Sequence, residues 1–458
     1  LKTYQDYVDA KEKGQELDFI KAAINEYKAS PEYNIALAAD EYEAERNVTI
    51  MEFMRWLYNA AGQQVVDFTA ANNRIASNFL HRLVTQRVAY SLGNGVTFTE
   101  EGTKETLGAD FDTVLYDAAD YARLHRVSYL VWNFDHMDFF KMTEFCPLFD
   151  EYDGSLKAGF RFWSLDWQKR PVTVVVYEAD GYTKYRTRPG SKGLDLVEYE
   201  PKRGYKQQIA HNGVDPDEVV GESNYITIPI VPFWGSKHRQ SDLVGMRSKI
   251  DAYDLVKSGF ANDLQDCAEI YWIIGNALGE DDASLARFRD RIKLNHIATM
   301  DTDNSNITPY TQEIPTAART ALIDSLRAQI YEDYGGLDVH TIAAGATNDH
   351  IDAAYQPMDE EADDFEYQVI KAVRGILSII GIDDMPIFKR NRISNSKEQV
   401  EMVMLTANYL DRETVLKKLP FLTVDEVENV LKNADAENES RFSLEEEQEE
   451  ENGDELNE

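Results

Sequence analysis

Apolar side chains recur at intervals of three and four across positions 241–267: Leu243, Met246, Ile250, Tyr253, Val256, Phe260 and Leu264. That spacing places them on one stripe of a helix, and Ser241 stands where a hydroxyl can cap the first turn. At 1.5 Å per residue such a helix is about 40 Å long. A second stripe of Ala318, Leu322, Leu326, Gln329 and Ile330 predicts another helix, opened by Pro315 and stopped by Gly335-Gly336. Between the two the pattern shortens: strands are predicted over 269–274, 295–300 and 307–311 and a short helix over 282–292. Two long helices therefore bracket one small α/β insert.

Elsewhere the period changes twice. Residues 1–60 are rich in Ala, Glu, Lys and Tyr and read as helix broken at Pro31. A second helix is predicted over 67–90, with Phe68, Ile75, Phe79, Leu83 and Val84 on one face and Gly93 and Gly95 turning the chain into a strand over 96–99. After a helix over 111–129 come short alternating runs at 128–133, 160–163 and 172–178, with hairpin turns at Asp153-Gly154 and Asp180-Gly181. Residues 341–355 show neither period and suit an exposed loop. Helix resumes with the stripe Phe365, Val369, Ala372, Ile376 and Ile379, and later helices open at capping boxes formed by Ser396 with Gln399 and Thr423 with Glu426. The fold class is α+β, mainly helical, and no repeat of fixed period is present.

The totals narrow the function. A chain of 458 residues exceeds the usual single domain. Its 47 basic against 82 acidic side chains leave a net charge of −35, a field that repels polyphosphate and disfavours ordinary high-affinity DNA binding. The twelve acids and single base (Arg441) of 435–458 account for −11 of this, and that polar tail is expected to be disordered. Two distant cysteines, Cys146 and Cys267, support neither a disulfide framework nor a zinc site and are expected to pack as small apolar groups. The longest uncharged stretches, 226–236 and 271–279, fall short of the roughly 20 residues that span a bilayer, and no signal peptide is expected.

Candidate chemistry is sparse. No GxxxxGK[ST] loop cradles a nucleotide and no HExxH pairs histidines for zinc. Asp301, Asp303 and Ser305 begin like a calcium loop, yet Asn306 and Gln312 occupy the positions that need Gly and a bidentate Glu. The acids Asp359, Glu360, Glu361, Asp363 and Asp364 read as the dipole-favoured start of a helix. Neither a cofactor nor a metal is expected.

Three blocks carry a family resemblance. The first is Asn72-Asn73-Arg74 leading through Arg87-Val88-Ala89-Tyr90 to Gly93. The second is Ile228-Pro229-Ile230-Val231-Pro232-Phe233 with Ser241-Asp242-Leu243 and Lys249-Ile250-Asp251-Ala252-Tyr253-Asp254. The third is Arg390-Asn391-Arg392-Ile393-Ser394-Asn395 with Glu398, then Glu413-Thr414 through Leu419-Pro420 to Asp425-Glu426-Val427-Glu428; here Arg412 replaces a serine common in the family. In this order and spacing the sequence resembles the portal proteins of long-tailed bacteriophages.

That resemblance implies a homo-oligomeric ring of about twelve subunits, closed by cyclic symmetry, around a channel for double-stranded DNA. The chain would divide into a wing (1–240), a stem helix (241–267), a clip (268–314), a second stem helix (315–336), a tunnel-loop region (337–356), a wing or channel helix (357–390), a crown (391–434) and the acidic tail. Ala346, Thr347, Asn348, Asp349 and His350 would line the channel, and Arg287, Arg289 and Arg291 of the clip would contact acidic partner surfaces. Implied partners are the large terminase, a head-tail adaptor, and the major capsid and scaffolding proteins, with no membrane. The implied location is the portal vertex of the virion, reached from the host cytoplasm. Two other readings rest on fewer residues: a virion or adaptor component without a channel, and a carboxylate hydrolase whose cleft would use Trp163, Asp166 and Trp167.

Overall fold

The computed structural model describes residues 2–58, 62–67, 71–100, 102–164, 171–188, 193–210, 218–266, 271–274, 307–310, 315–339, 347–392, 396–418, 427 and 430–432. The chain forms two units, one of Leu1–Gly336 with Ala362–Lys389, the other of Leu337–Glu361 with Arg390–Glu458.

In the first unit, α1 (Tyr4–Glu12), α2 (Glu16–Lys28) and α3 (Pro31–Glu43) precede a short α4 (Val48–Met51) and the hairpin β1 (Trp56–Tyr58) and β2 (Gln64–Val66). Pro31 opens α3 at its first turn, where its missing N–H costs nothing, and the Ser30 hydroxyl accepts from the Tyr33 amide. Next come α5 (Phe79–Leu92), β3 (Val96–Thr97), α6 (Thr103–Thr106) and α7 (Phe111–His125). The helix predicted over 67–90 is thus shorter at its start: Ile75 lies outside it, and Phe68 lies outside the described residues.

The β-rich middle divides into two main sheets. Strands β4 (Val127–Asn133) and β5 (His136–Lys141) pair with the later β13 (Ile230–Trp234) in the order β13-β4-β5. Strands β6 (Phe145–Phe149), β7 (Leu156–Trp163), β8 (Thr173–Glu178), β9 (Gly181–Thr187) and β10 (Leu196–Arg203) form an antiparallel meander in sequence order. Strands β11 (Lys206–Ala210) and β12 (Glu218–Ser223) make a separate hairpin. Both predicted turns are present: Gly154 adopts φ +66° between β6 and β7, and Gly181, at φ +131°, pairs with Glu178 across the β8–β9 turn. Pro147 and Pro232 sit in edge strands, where a missing ladder donor is tolerated.

Period-two alternation decides which face of the meander is buried. Ala158, Phe160, Phe162, Val174, Val176 and Tyr185 pack beneath Tyr7, Phe19, Ile20, Ile24 and Tyr27 of the N-terminal helices. Tyr7, Phe19 and Phe160 meet as a ring cluster with centroids 5.7–6.4 Å apart. Cys146 is a buried free thiol in this core, whose burial pushes its pKa up; Cys267 lies outside the described residues.

The remaining long elements are α8 (Asp242–Asp266), β14 (Tyr271–Ile274), β15 (Ile307–Tyr310), α9 (Thr316–Tyr334), α10 (Asn348–Ile380), β16 (Ile387–Phe388), α11 (Ser396–Thr406) and α12 (Arg412–Lys417). A second core joins α3, α5, α7, the first turns of α8, the end of α9 and residues 365–377 of α10, with Phe233 stacked on Phe365 at 6.3 Å. Phe365, Val369, Ala372 and Ile376 are fully buried there, as their spacing predicts. The carboxylate of Asp384 fixes the end of this region by accepting from the amides of Thr99 and Glu100 and the hydroxyl of Thr103. Burial works to raise its pKa, but these donors and the Met385 amide outweigh it and hold the carboxyl at about 2. Among the described residues, no helix is long and apolar enough to cross a membrane.

Asp120 on α7 shows the opposite balance. Burial and the nearby Glu43 carboxylate raise its pKa to about 6, against the lowering influence of His81 and His125. Its folded pKa exceeds the unfolded value of about 3.9, so the stability it contributes is complete below about pH 4 and is lost as pH rises through 6. Asp120→Asn removes this dependence. Its melting temperature, measured from pH 4 to 7.5, should gain on the parent across that window and hold the gain above pH 6. A difference independent of pH would contradict the assignment.

Candidate functional site

Helices α8 and α9 form a hairpin whose ends define a distal and a proximal pole. Distally, β14 and β15 pair antiparallel from Tyr271↔Tyr310 to Ile274↔Ile307, so the chain leaving α8 and the chain approaching α9 run side by side. Ion pairs of Lys249 with Asp333 (2.6 Å) and Arg319 with Asp263 link the helices at both ends. Phe79 of α5 packs edge-on against Tyr253 of α8 at 4.9 Å and Tyr331 of α9 at 6.1 Å.

The proximal pole is tied by a buried polar knot. Arg123 of α7 holds Asp242, the first residue of α8, in a two-pronged pair: Nε donates to Oδ2 and Nη2 lies against Oδ1, both at 2.9 Å. The Tyr334 hydroxyl, from the last residue of α9, donates to the same Oδ2 at 2.5 Å. Arg87 of α5 stacks on the Tyr334 ring at 4.1 Å and donates to its carbonyl. The third arm of Arg123 reaches the Gly235 carbonyl at 2.8 Å. One carboxylate therefore joins the start of one hairpin helix to the finish of the other. Burial alone would lower the pKa of Arg123; the Asp242 charge, then Tyr334, outweigh it and raise it. Burial, then Asp242, push the Tyr334 phenol up as well. Ser241 completes this end: its hydroxyl donates to the Leu124 carbonyl at 2.6 Å and accepts from the Leu243 amide at 3.2 Å, the cap its position predicts.

Along α8 the buried face changes character. Leu243, Met246 and Ile250 are buried as predicted, but farther down Tyr253, Val256 and Phe260 are only partly covered and Leu264 is 51% exposed. The buried positions there are Asp254, Ser258 and Asn262, none more than 4% exposed. Their partner is the stretch 71–78, which the apolar pattern assigns to helix. Ser258 accepts from the Ile75 amide (3.0 Å), Asn262 from the Asn73 amide (2.6 Å), and Gln265 from the Asn73 side chain (2.9 Å). Asn47 donates both to Asp254 and to the Ser77 carbonyl.

The geometry explains the register. Two residues of extended chain advance about 6.6 Å and four residues of helix about 6 Å, so alternate amides of the stretch match acceptors four apart on α8. Those amides are spent on another element and cannot close helical turns. Burial raises the Asp254 pKa, while the hydrogen bond from Asn47 works to lower it. Upstream, Asp251 accepts from Tyr42 and Thr49.

The predicted channel residues fall at the start of α10. Thr347 is its N-cap, its carbonyl accepting from the His350 and Ile351 amides at 3.1 and 3.0 Å. Thr347, Asp349 and His350 are exposed, and Asn348 begins the helix; Ala346 lies outside the described residues. The aperiodic loop read over 341–355 thus gives way to helix at Asn348, and α10 continues through Pro357, where a start was expected. Because the helix opens eleven residues before Asp359, the acids at 359–364 do not sit in its first turn. Instead Asp359 pairs with Arg390 (3.0 Å) and Arg392, and Asp352 also meets Arg392 (3.2 Å), within the second unit. In the first unit, Asp364 accepts from the Lys237 amide at 3.2 Å.

Arg287, Arg289 and Arg291, the calcium-like loop, Asp166, Trp167 and the box of Thr423 with Glu426 lie outside the described residues, as does the tail. Of the knot residues, Arg123 and Tyr334 escaped sequence reasoning, and Arg87 entered only within a quoted block. Asp242, which Arg123 and Tyr334 hold, also belongs to a quoted block, but nothing in the spacing links positions 87, 123, 242 and 334.

Residues 37–441 match the family model described as phage portal protein, SPP1 Gp6-like, and the chain belongs to that family. It is 26% identical over 394 residues to the portal protein of Clostridium phage phiCD119, covering 79% of this chain and 84% of that one. To the portal protein of Bacillus phage SPP1 it is 24% identical over 409 residues, covering 82% and 78%. Among solved structures, a chain from the neck of an empty GTA particle superposes with a TM-score of 0.43 at 9% identity, over 76% of this chain and 91% of that chain.

The side-chain stripe is testable on its own. Each hydrogen bond is worth about 1–1.5 kcal/mol, so the double variant Ser258→Ala/Asn262→Ala should speed hydrogen exchange at the Asn73 and Ile75 amides by roughly 10- to 100-fold. Exchange at Ile250 should not change. Equal protection of Asn73 and Ile75 in the variant and the parent would refute the pairing.

Proposed function

We propose that copies of this chain close into a ring of about twelve subunits at one capsid vertex, forming the conduit through which double-stranded DNA is packaged and ejected. The observation that carries this reading is the family match across 37–441, which takes in both hairpin helices and the body that anchors them. The relatives named as portal proteins support it. In this reading the distal insert, with Arg287, Arg289 and Arg291, meets the large terminase during filling and the head-tail adaptor afterwards. The body contacts capsid and scaffolding proteins, and assembly takes place in the host cytoplasm.

Charge suits the task. Each cation paired to phosphate adds salt-dependent affinity, and a duplex in transit must not rest in deep wells; a chain of net charge −35 avoids them. Residues 346–350 touch the passing duplex lightly: Thr347, Asn348 and His350 offer weak phosphate contacts and Asp349 opposes their becoming tight. The protein acts as a structural element, and the energy for movement comes from nucleotide hydrolysis by its motor partner.

Negative-stain images of the purified protein should show rings with an axial hole; solid particles or sheets would favour a virion component without a channel. Replacing 344–350 with a Gly-Ser linker spares Ile351, which is buried. Rings should form as in the parent, while packaged DNA per particle falls severalfold. Loss of the rings would make this segment structural instead.

A further inference from the structure

The meander's second face carries a site that the conduit does not use. Where Phe160, Phe162, Val174 and Val176 face the N-terminal helices, the alternate positions Arg161, Trp163, Tyr177, Tyr182, Lys184 and Arg186 face the other way. Together with β4, β5 and β10 they wall a cavity of about 540 Å³, within the roughly 300–1,000 Å³ typical of ligand pockets. Its aromatic wall is continuous: Phe140, Tyr177, Tyr182, Tyr205 and Tyr225 follow one another at centroid distances of 5.7, 6.4, 5.9 and 5.9 Å.

Cations are laid on these rings. The Arg161 guanidinium lies between Phe140 at 3.9 Å and Trp163 at 4.9 Å. Its Nε is buried without a hydrogen-bond acceptor among the described residues, and the Glu144 carboxylate stands 3.8 Å from Nη2, beyond hydrogen-bonding distance. Arg186 covers Tyr199 at 4.2 Å, and Lys206 covers Tyr225 at 4.3 Å. Lys184 is neutralised by Glu200 at 2.9 Å. In a chain of net charge −35, this wall is locally cationic: Arg161 has a buried Nε without an acceptor among the described residues, and Arg186 is exposed to an incoming ligand. Phe134 and Tyr199 stand at its margin, 61% and 55% exposed. Tyr, Trp and Arg in a concave setting are the residues that dominate protein–protein binding energy.

We propose that this cleft is a docking site for an extended acidic peptide segment of a partner protein. Carboxylates of the peptide pair with the Arg161 and Arg186 guanidinium groups, while apolar residues between them lie on the tyrosine row. Two carboxylates of the wall, Asp138 and Glu200, count against a polyphosphate strand, whose charge is unbroken; a peptide can set uncharged residues opposite them.

The test uses the full chain and fluorescence anisotropy with a labelled twelve-residue peptide of alternating Glu and Phe or Pro. A peptide with Lys in place of each Glu and a twelve-nucleotide oligo(dT) serve as comparisons. The acidic peptide should bind and weaken with added salt, and Arg186→Glu and Arg161→Gln should each reduce its affinity at least tenfold. Arg186 is exposed, so its variant keeps the test sound if loss of the stacked Arg161 disturbs the sheet. Affinity unchanged in Arg186→Glu, equal binding of the Lys peptide, absence of binding by the acidic peptide, or preference for the oligonucleotide would each overturn the proposal.

Discussion

One buried carboxylate holds the hairpin to the body. Asp242 accepts from Arg123 with both oxygens and from Tyr334 with one. The three residues come from the end of α7, the start of α8 and the end of α9, elements that enclose the insert between them in the chain. A buried ion pair adds little net stability over well-packed apolar side chains, but loss of one partner leaves a charge stranded at a cost of about 3–5 kcal/mol. The arrangement therefore specifies geometry: only one relation of the two helices to the core satisfies Asp242, Arg123, Arg87 and Tyr334 together.

Below the root, α8 exchanges one kind of packing for another. Leu243, Met246 and Ile250 enter the shared core, and then Asp254, Ser258 and Asn262 take over the buried face to bind an extended stretch. Directional bonds fix the register of that stretch in a way an apolar face would not, since a slipped chain would leave buried polar atoms unpaired. The remaining apolar residues of the stripe are left partly uncovered, with Leu264 and, on α9, Leu322 about half exposed in the single chain.

Much of this was legible in the sequence. Period three-to-four marked α8, α9 and the buried half of α10, and period two with Asp-Gly turns marked the meander; on α10 and the meander the marked positions are core residues, whereas on the α9 stripe Ala318, Leu322 and Gln329 are exposed in the single chain and only Ile330 is buried. The stretch 71–78 was misread as helix for a physical reason: its conformation is set by amide partners almost two hundred positions away, and no local pattern reports them. Acids at 359–364 resembled a helix start, but the helix reaches back across Pro357 to Asn348 and Asp359 serves Arg390 and Arg392 instead. The knot combines residues from four elements whose side chains are individually unremarkable in sequence. The aromatic wall, by contrast, was half visible: alternation placed Trp163 and its neighbours on a strand, while the cleft itself needed the facing strands.

The central claim is that Asp242 and Arg123 act as one unit at the root of the hairpin. A double-mutant cycle with Asp242→Asn, Arg123→Met and the pair measures this directly from denaturant unfolding midpoints. Each single variant should destabilise by about 3–5 kcal/mol and the pair by no more than either alone. If the two losses simply add, the residues are independent and the account of the anchored hairpin is wrong.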